Sequence, residues 1–436
     1  MSRLSSPLQG RTARWRPAWL VGIATVVGIA VAIRAILLAT VPFREDDLDV
    51  FARWAHQVAV GPFGQAYRSD INLLPVMVYI WGALGAMHPA FQTAIDASDA
   101  TIRIFLKAPA SVADIGLVLA AMWSLRERPA WAIVGGLAVA VHPALLSDSA
   151  WWGQTDALYI LPAFTAFLFA RAGKPIPAAI ALAISVMVKP QAAIFLIPFA
   201  AFALRRLSRS QLLLSVGTVL ATIVLLWSPF ILANGPADYL HTVAALQNGA
   251  FASISIGAWN LWWIAGQVLP ENLLVDTAPM LGPFNAREIG IAMAAVGEII
   301  VVVAVWSVPS SRRLALGLAT ATLVAFCVLT AMHERYSLGA LVFLIPLLPD
   351  RRILAIWLVL SVEITANMLW TDPPSLVARV GVIGGAVILG TTLVCLWLLT
   401  QDAAFATPEP IPSPQETPSL DQTDDGGGQP AIFSAP

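Results

Sequence analysis

The chain has little charge and almost no cysteine. Asp, Glu, Lys and Arg make up 12% of its 436 residues, against 58% hydrophobic ones. With a mean hydropathy of +0.77, this excludes an ordinary soluble domain. Cys327 and Cys395 are the only two cysteines, and each sits inside an apolar run, which argues against a disulfide framework or a zinc site. The formal net charge of -1 supplies no basic excess for holding nucleic acid, so no nucleic-acid partner is expected. No internal repeat is visible. No small-residue cleavage site follows the first apolar run, so that run is expected to stay as a membrane span.

What the chain has instead is a series of apolar runs bounded by charges. They give about twelve spans, at approximate limits 17–41, 103–124, 130–147, 156–171, 175–188, 190–204, 211–233, 287–308, 314–332, 336–349, 353–370 and 377–400. The expected fold class is therefore an all-α polytopic membrane protein with about 12 transmembrane helices. A basic N-terminus (1–16) precedes a membrane domain (17–400), and the Pro-, Gly- and acid-rich tail (401–436) is expected to be disordered. If the N-terminus is cytoplasmic, fifteen of the 25 Lys and Arg residues fall in short cytoplasmic segments, Arg126, Arg171, Lys174, Arg206 and Arg312 among them. Nine fall outside and Arg34 lies within the first span, so the positive-inside rule places both termini in the cytoplasm of a multi-pass inner (plasma) membrane protein. A long first outer loop, 42–102, carries interfacial helices, one over 73–88.

The polar groups set among apolar runs share the outer side of this topology: Asp46, Asp47 and Asp49, Asp70, Arg103, Lys107, Asp148, "WWGQTD" at 151–156, Lys189, Asn260 and "MHERY" at 332–336. Charges beside lipid are costly, so these residues are expected to line an outward-facing cavity. The spans on either side of "KP" at 189–190 are shorter than the roughly 20 residues of a full crossing, which puts Lys189 in that cavity. Asp114, inside the second span, is expected to neutralise Lys107, about two helical turns away.

In order along the chain, "DLDVFARWA", "IRIFLKAPASVADIGLVL", "HPALLSDSAWWGQTDALYILPAF", "VKPQAAIFLIP", "NLWW" and "MHERYSL" resemble the pattern of membrane glycosyltransferases of the GT-C fold that use polyprenyl-phosphate sugars. The resemblance runs from about residue 17 to 350. It implies a glucosyl- or mannosyltransferase-like enzyme of the cell envelope whose partners are a polyprenyl-phosphate-linked sugar donor, a lipid-linked or glycolipid acceptor and membrane lipids. Where relatives often carry a "DYPPGY"-like segment, this chain has "SDINLLP", which retains Asp70 and lacks Pro-Pro-Gly.

Such a transfer needs a base to take the acceptor proton and cations to meet the charge growing on the phosphate. The resemblance implies Asp47 as the base, with Asp46 and Asp49 as alternatives. For the donor phosphate, Arg335 and Lys189 come first, then His333, Arg103 and Lys107. Substrate contacts are expected from Asp70, Trp152, Gln154, Asp156, Gln191, Asn260, Trp262, Glu334 and Tyr336. "DLD" is also a DxD pair able to hold a divalent cation, but the resemblance implies metal-independent chemistry, so no cofactor is expected.

Each motif also has a purely structural reading. "EDDLD" reads as an acidic helix start, Thr155 as a helix cap, Lys189 as a snorkelling lysine and "HERY" as a loop neutralised by a Glu334–Arg335 pair.

Overall fold

The computed structural model describes residues 17–44, 46–370 and 374–401. The basic N-terminus, nearly all of the tail after 401 and the Asp46 side chain lie outside the described residues. In chain order the helices are α1 (Pro17–Ala39), α2 (Asp46–Val60), α3 (Pro75–Met87), α4 (Ala100–Ser124), α5 (Pro129–Ala140), α6 (Pro143–Leu146), α7 (Asp156–Arg171), α8 (Pro175–Val188) and α9 (Leu196–Arg206). They continue as α10 (Arg209–Ile231), α11 (Gly235–Asn248), α12 (Leu261–Gly266), α13 (Ala286–Ser307), α14 (Ser311–Val328), α15 (Leu338–Leu344), α16 (Arg351–Leu369) and α17 (Pro374–Gln401). A small hairpin of β1 (Pro279–Leu281) and β2 (Phe284–Asn285), turning at Gly282 with φ 61°, is the exception to an all-α chain.

Among the described residues, seven helices are long and apolar enough to cross a membrane: α1, α4, α10, α13, α14, α16 and α17. The chain is an all-α polytopic membrane protein. An eighth crossing arises if α5 and the segment Pro143–Trp152, bent by 45°, count as one. The twelve expected spans are these seven, the bent pair, and four helices too short to cross alone: α7, α8, α9 and α15. Proline is one cause, because it lacks the amide proton and clashes with the preceding turn. Pro143, Pro175 and Pro190 each stand at the first positions of a new segment, and Pro143 breaks the run at 130–147 that hydropathy alone joins.

The core sits around α14, whose residues from Arg313 to Val328 are all buried. Helices α7, α9, α12, α13, α15 and α17 pack around it. A helix apolar on every side belongs in such a place.

One break explains a charge inside the first span. Pro143 cannot donate to the Val139 carbonyl one turn back, and the Ala144 amide donates instead to His142 Nδ1 at 3.2 Å. The freed carbonyls of Val139 and Ala140 accept from Arg34, at 3.4 and 2.9 Å. Arg34 Nε also donates to Asp114 Oδ2 at 3.1 Å. Asp114 is therefore paired with Arg34 and not with Lys107, whose Nζ donates to the Thr40 and Leu37 carbonyls at the end of α1, at 2.8 and 3.5 Å. Lys107 is thus a helix cap.

Glu363, on α16, is buried, and neither carboxylate oxygen has a hydrogen-bond partner among the described residues. Glu363→Met is expected to stabilise the protein by about 1–3 kcal/mol, since it removes an unsatisfied buried polar group and keeps the volume. A lower midpoint of thermal unfolding in detergent would show instead that the carboxyl is satisfied in solution.

Candidate functional site

Four segments far apart in sequence converge at the ends of α1, α8 and α14: the start of α2, the turn before α7, the α8–α9 junction and the loop after α14. The turn before α7 sets the geometry. Residues Ser147–Trp152 form a π-helical turn, after which the Gly153 and Gln154 amides both donate to the Asp148 carbonyl, at 3.1 and 2.7 Å. Gly153 has φ 93°, and a Cβ there would lie 2.7 Å from Leu48 Cδ1 and 3.1 Å from Lys107 Cγ, so this position requires glycine. The turn is anchored below by Ser149, whose hydroxyl donates to the Asp114 carboxylate that Arg34 holds.

That turn brings the buried Gln154 to α2, where its amide donates to Asp47 Oδ2 at 2.7 Å. Asp47 Oδ2 is also 3.8 Å from Arg335 Nη2. The Asp47 side chain is 42% exposed, and its Oδ1 has no hydrogen-bond partner among the described residues. Beneath it, Asp156 is wholly buried at the first position of α7. Lys189 Nζ donates to Asp156 Oδ2 at 2.9 Å, and Arg335 Nε lies 3.5 Å from the same oxygen. Lys189 is buried beside this carboxylate, with its ammonium over the rings of Tyr336 (5.1 Å) and Tyr159 (5.8 Å), so the snorkelling reading does not describe it.

"HERY" is neutralised within itself and more widely: Glu334 Oε1 accepts from Arg335 Nη1 at 3.3 Å and from Arg44 Nη1 at 2.7 Å. The Trp152 ring is near two guanidinium groups, 4.6 Å from Arg335 and 4.7 Å from Arg44. The Tyr336 hydroxyl accepts from Gln191 Nε2 at 3.0 Å. Asp47, Trp152, Gln154, Asp156, Lys189, Gln191, Glu334, Arg335 and Tyr336 are thus brought into one linked cluster. His333 joins its edge as a neutral ring against Tyr336 and Phe251. Burial first, then the positive charges of Arg335, Lys189 and Arg44, push its imidazole down to about 2, so it adds no cation at neutral pH.

The other expected site residues are engaged elsewhere. Asp49 Oδ1 accepts from the Ala97 amide at 2.8 Å, and Arg103 donates to the Ala97 and Ser98 carbonyls, so both brace the loop that leads into α4. Exposed Asp70 accepts from Trp54 Nε1 at 2.9 Å. Asn260 caps α12 through the Trp262 and Trp263 amides and donates to the Phe326 carbonyl, while Trp262 Nε1 donates to Val328. The "NLWW" segment thereby holds the preceding strand-like stretch, Ile256–Gly257, against His333 and supports the site from behind. Thr155 does not cap α7; its hydroxyl has no hydrogen-bond partner among the described residues.

Arg44 and Tyr159 were not among the expected site residues, and buried Asp148 was expected on the shared side without a role in the site. Arg44 stands one residue before the acidic run, a lone cation that the acids around it made easy to overlook. Tyr159 lies three residues beyond Asp156 on α7 and so shares its face.

The cluster balances three cations, Arg44, Lys189 and Arg335, against Asp47, Asp156 and Glu334. Buried cations require such partners. Donor capacity remains nonetheless: Arg335 Nη2 makes no hydrogen bond among the described residues, and Lys189 uses one of its three ammonium protons on Asp156. On the exposed side stands a carboxylate with one free oxygen. No family model matches the chain, and no curated protein matches it.

Proposed function

We propose that the chain is an integral membrane glycosyltransferase of the GT-C type. It moves a hexose, mannose or glucose, from a polyprenyl-phosphate sugar to a hydroxyl of a lipid-linked or glycolipid acceptor, with inversion, at the outer face of the plasma membrane. The observation that carries this reading is the pairing of a half-exposed carboxylate, Asp47, with a buried guanidinium, Arg335, 3.8 Å away. A glycosyl transfer from phosphate needs those two functions side by side: a proton acceptor for the incoming hydroxyl and a fixed positive charge for the departing phosphate.

In this mechanism Gln154 fixes Asp47 Oδ2, and the free Oδ1 takes the proton of the acceptor hydroxyl as its oxygen attacks the anomeric carbon. The bond from that carbon to the phosphate oxygen breaks, and the unused donors of Arg335 and Lys189 meet the charge left on the phosphate. The phosphate leaves without needing protonation, so one carboxylate suffices. A polyprenyl tail stays among lipids while its phosphate reaches the cluster, which gives a reason for building such a site at the ends of apolar helices.

The test is incubation of the purified protein with a panel of polyprenyl-phosphate sugars and an acceptor lipid extract, with nucleotide sugars alongside. Release of polyprenyl phosphate that depends on the sugar is expected. Turnover of nucleotide sugars alone would overturn the donor assignment. The charge asymmetry further predicts that a tag at Pro436 is shielded from an impermeant reagent in intact cells, while a cysteine placed at exposed Arg68 is labelled. Labelling of the tag from outside would reverse the topology.

A second reading has one specific observation behind it. The bent pair of α5 with Pro143–Trp152 delivers Trp152, and Gln154 just after it, to the cluster, and secondary transporters also build substrate sites at broken helices. Sugar-lipid movement across vesicles without cleavage of the sugar–phosphate bond would favour it.

A further inference from the structure

Away from the cluster, between α8, α9 and α10, lies a cavity of about 740 Å³. Its walls are apolar and its floor is made of small residues, Ala178, Ala179 and Ala203 among them. Along α10 it runs from Gln211 to Leu220, about 14 Å at 1.5 Å per residue. Helix α10 is unusual: of the seven long apolar helices among the described residues, it alone has none of its most apolar stretch buried. Leu213, Leu214 and Leu220 are all exposed. The helix packs along α8 and leaves the space toward α9 open to whatever surrounds the protein.

Charge marks one end of this groove and only one. Lys174 and Arg206 line it there, with Arg205 and Arg209 adjoining in sequence. Lys174 is exposed and Arg206 half-buried over the Phe202 ring at 5.6 Å, and neither forms an ion pair with any described acidic residue. The contrast with Lys189 and Arg335, both tied to carboxylates, is direct. An apolar channel closed by two unneutralised cations is complementary to one kind of molecule, an amphiphile with a hydrocarbon chain and an anionic head.

We infer that this groove is a binding site for an anionic glycerophospholipid, with one acyl chain between α9 and α10 and the phosphate at Lys174 and Arg206. The chain fills the space that leaves α10 without a packed partner on that side. The headgroup neutralises the two cations. The charged end of the groove, at Lys174, lies before the start of α8, whereas the cluster's Lys189 follows its other end, and the site does not depend on the cluster's chemistry.

The experiment uses the full-length protein, delipidated in detergent and titrated with dioleoyl phosphatidylglycerol or dioleoyl phosphatidylcholine, with bound lipid counted by native mass spectrometry. Phosphatidylglycerol is expected to bind roughly tenfold more tightly, as two nearby cations imply. Lys174→Gln with Arg206→Gln should bring the two lipids to within about twofold of each other, because only the charge term is removed. Ala200→Phe, which places a ring in the groove, should displace both lipids. Equal affinity for the two lipids in the unaltered protein, or a preference that survives the charge replacements, would overturn the proposal. So would release of bound phosphatidylglycerol by millimolar inorganic phosphate, which would mean that the cations bind an anion with no help from the groove. The charge replacements lie at exposed and half-exposed positions, so they keep the test open if Ala200→Phe fails to fold.

Discussion

Asp47→Asn is expected to lower turnover about 10²–10⁴-fold while the protein folds and inserts as before. The amide has nearly the shape of the carboxylate, and its oxygen can still accept from Gln154, whose bond to Asp47 Oδ2 is 2.7 Å. What it loses is the lone pair that receives the acceptor proton. Asp49→Asn is the control within the same helix: Asp49 accepts from the Ala97 amide, an amide oxygen can do the same, and the loss should stay within a few-fold. Steady-state release of polyprenyl phosphate by the two variants decides the matter. Small and equal losses would mean that "EDDLD" is only an acidic helix start. Loss of activity on chelation, restored by Mn²⁺, would mean that the aspartates hold a metal. Gln154→Ala makes the same point from the other side, since it leaves Asp47 in place and removes what orients it.

The long helices were legible because hydropathy needs no knowledge of neighbours. The run at 211–233 is α10, Arg209–Ile231, and the run at 353–370 is α16, Arg351–Leu369. Four shorter elements were read as spans because apolar composition does not register how long a helix becomes before proline or a turn ends it. The apolar run at 336–349 is a seven-residue α15 followed by a 3₁₀ turn. Of the site, the residue types and their shared end were legible from motif order, but their partners were not. Helical spacing offered Lys107 to Asp114, whereas the cation that serves it is Arg34, drawn there by carbonyls that Pro143 leaves unbonded. The link between Asp47 and Gln154 joins residues 107 apart through one left-handed glycine, and no local pattern contains it. Asn260 and Trp262 stood in a motif and turned out to support the site from behind. A motif marks residues that must be kept without distinguishing contact from support.

Arg335→Lys should lower activity about 10²–10³-fold, the loss expected when one fixed donor to a developing anion is removed. Arg335 holds several positions at once. Its Nη1 donates to Glu334, its Nε and Nη2 stand 3.5 and 3.8 Å from Asp156 and Asp47, and its Cζ lies 4.6 Å from the Trp152 ring centroid. An ammonium keeps the charge but cannot span three carboxylates or lie flat on an indole. If the phosphate needs only positive potential, the lysine variant retains most activity and the role given to the planar fork is lost. The separation of binding from chemistry comes from donor affinity measured on the Asp47→Asn background, where no turnover obscures it. There, Asp47→Asn alone should bind donor as the unaltered protein does, because Asp47 meets the acceptor. Adding Lys189→Ala and Arg335→Ala should weaken donor binding by at least about tenfold, since charge-assisted hydrogen bonds to phosphate are the strong ones. These two replacements also leave Asp156 buried without its cations, so a further variant carrying Asp156→Asn keeps the comparison free of a stranded charge. Donor affinity unchanged in that variant would place the phosphate elsewhere, and Arg44, one-third exposed and 4.7 Å from the Trp152 ring centroid, would become the cation to remove next.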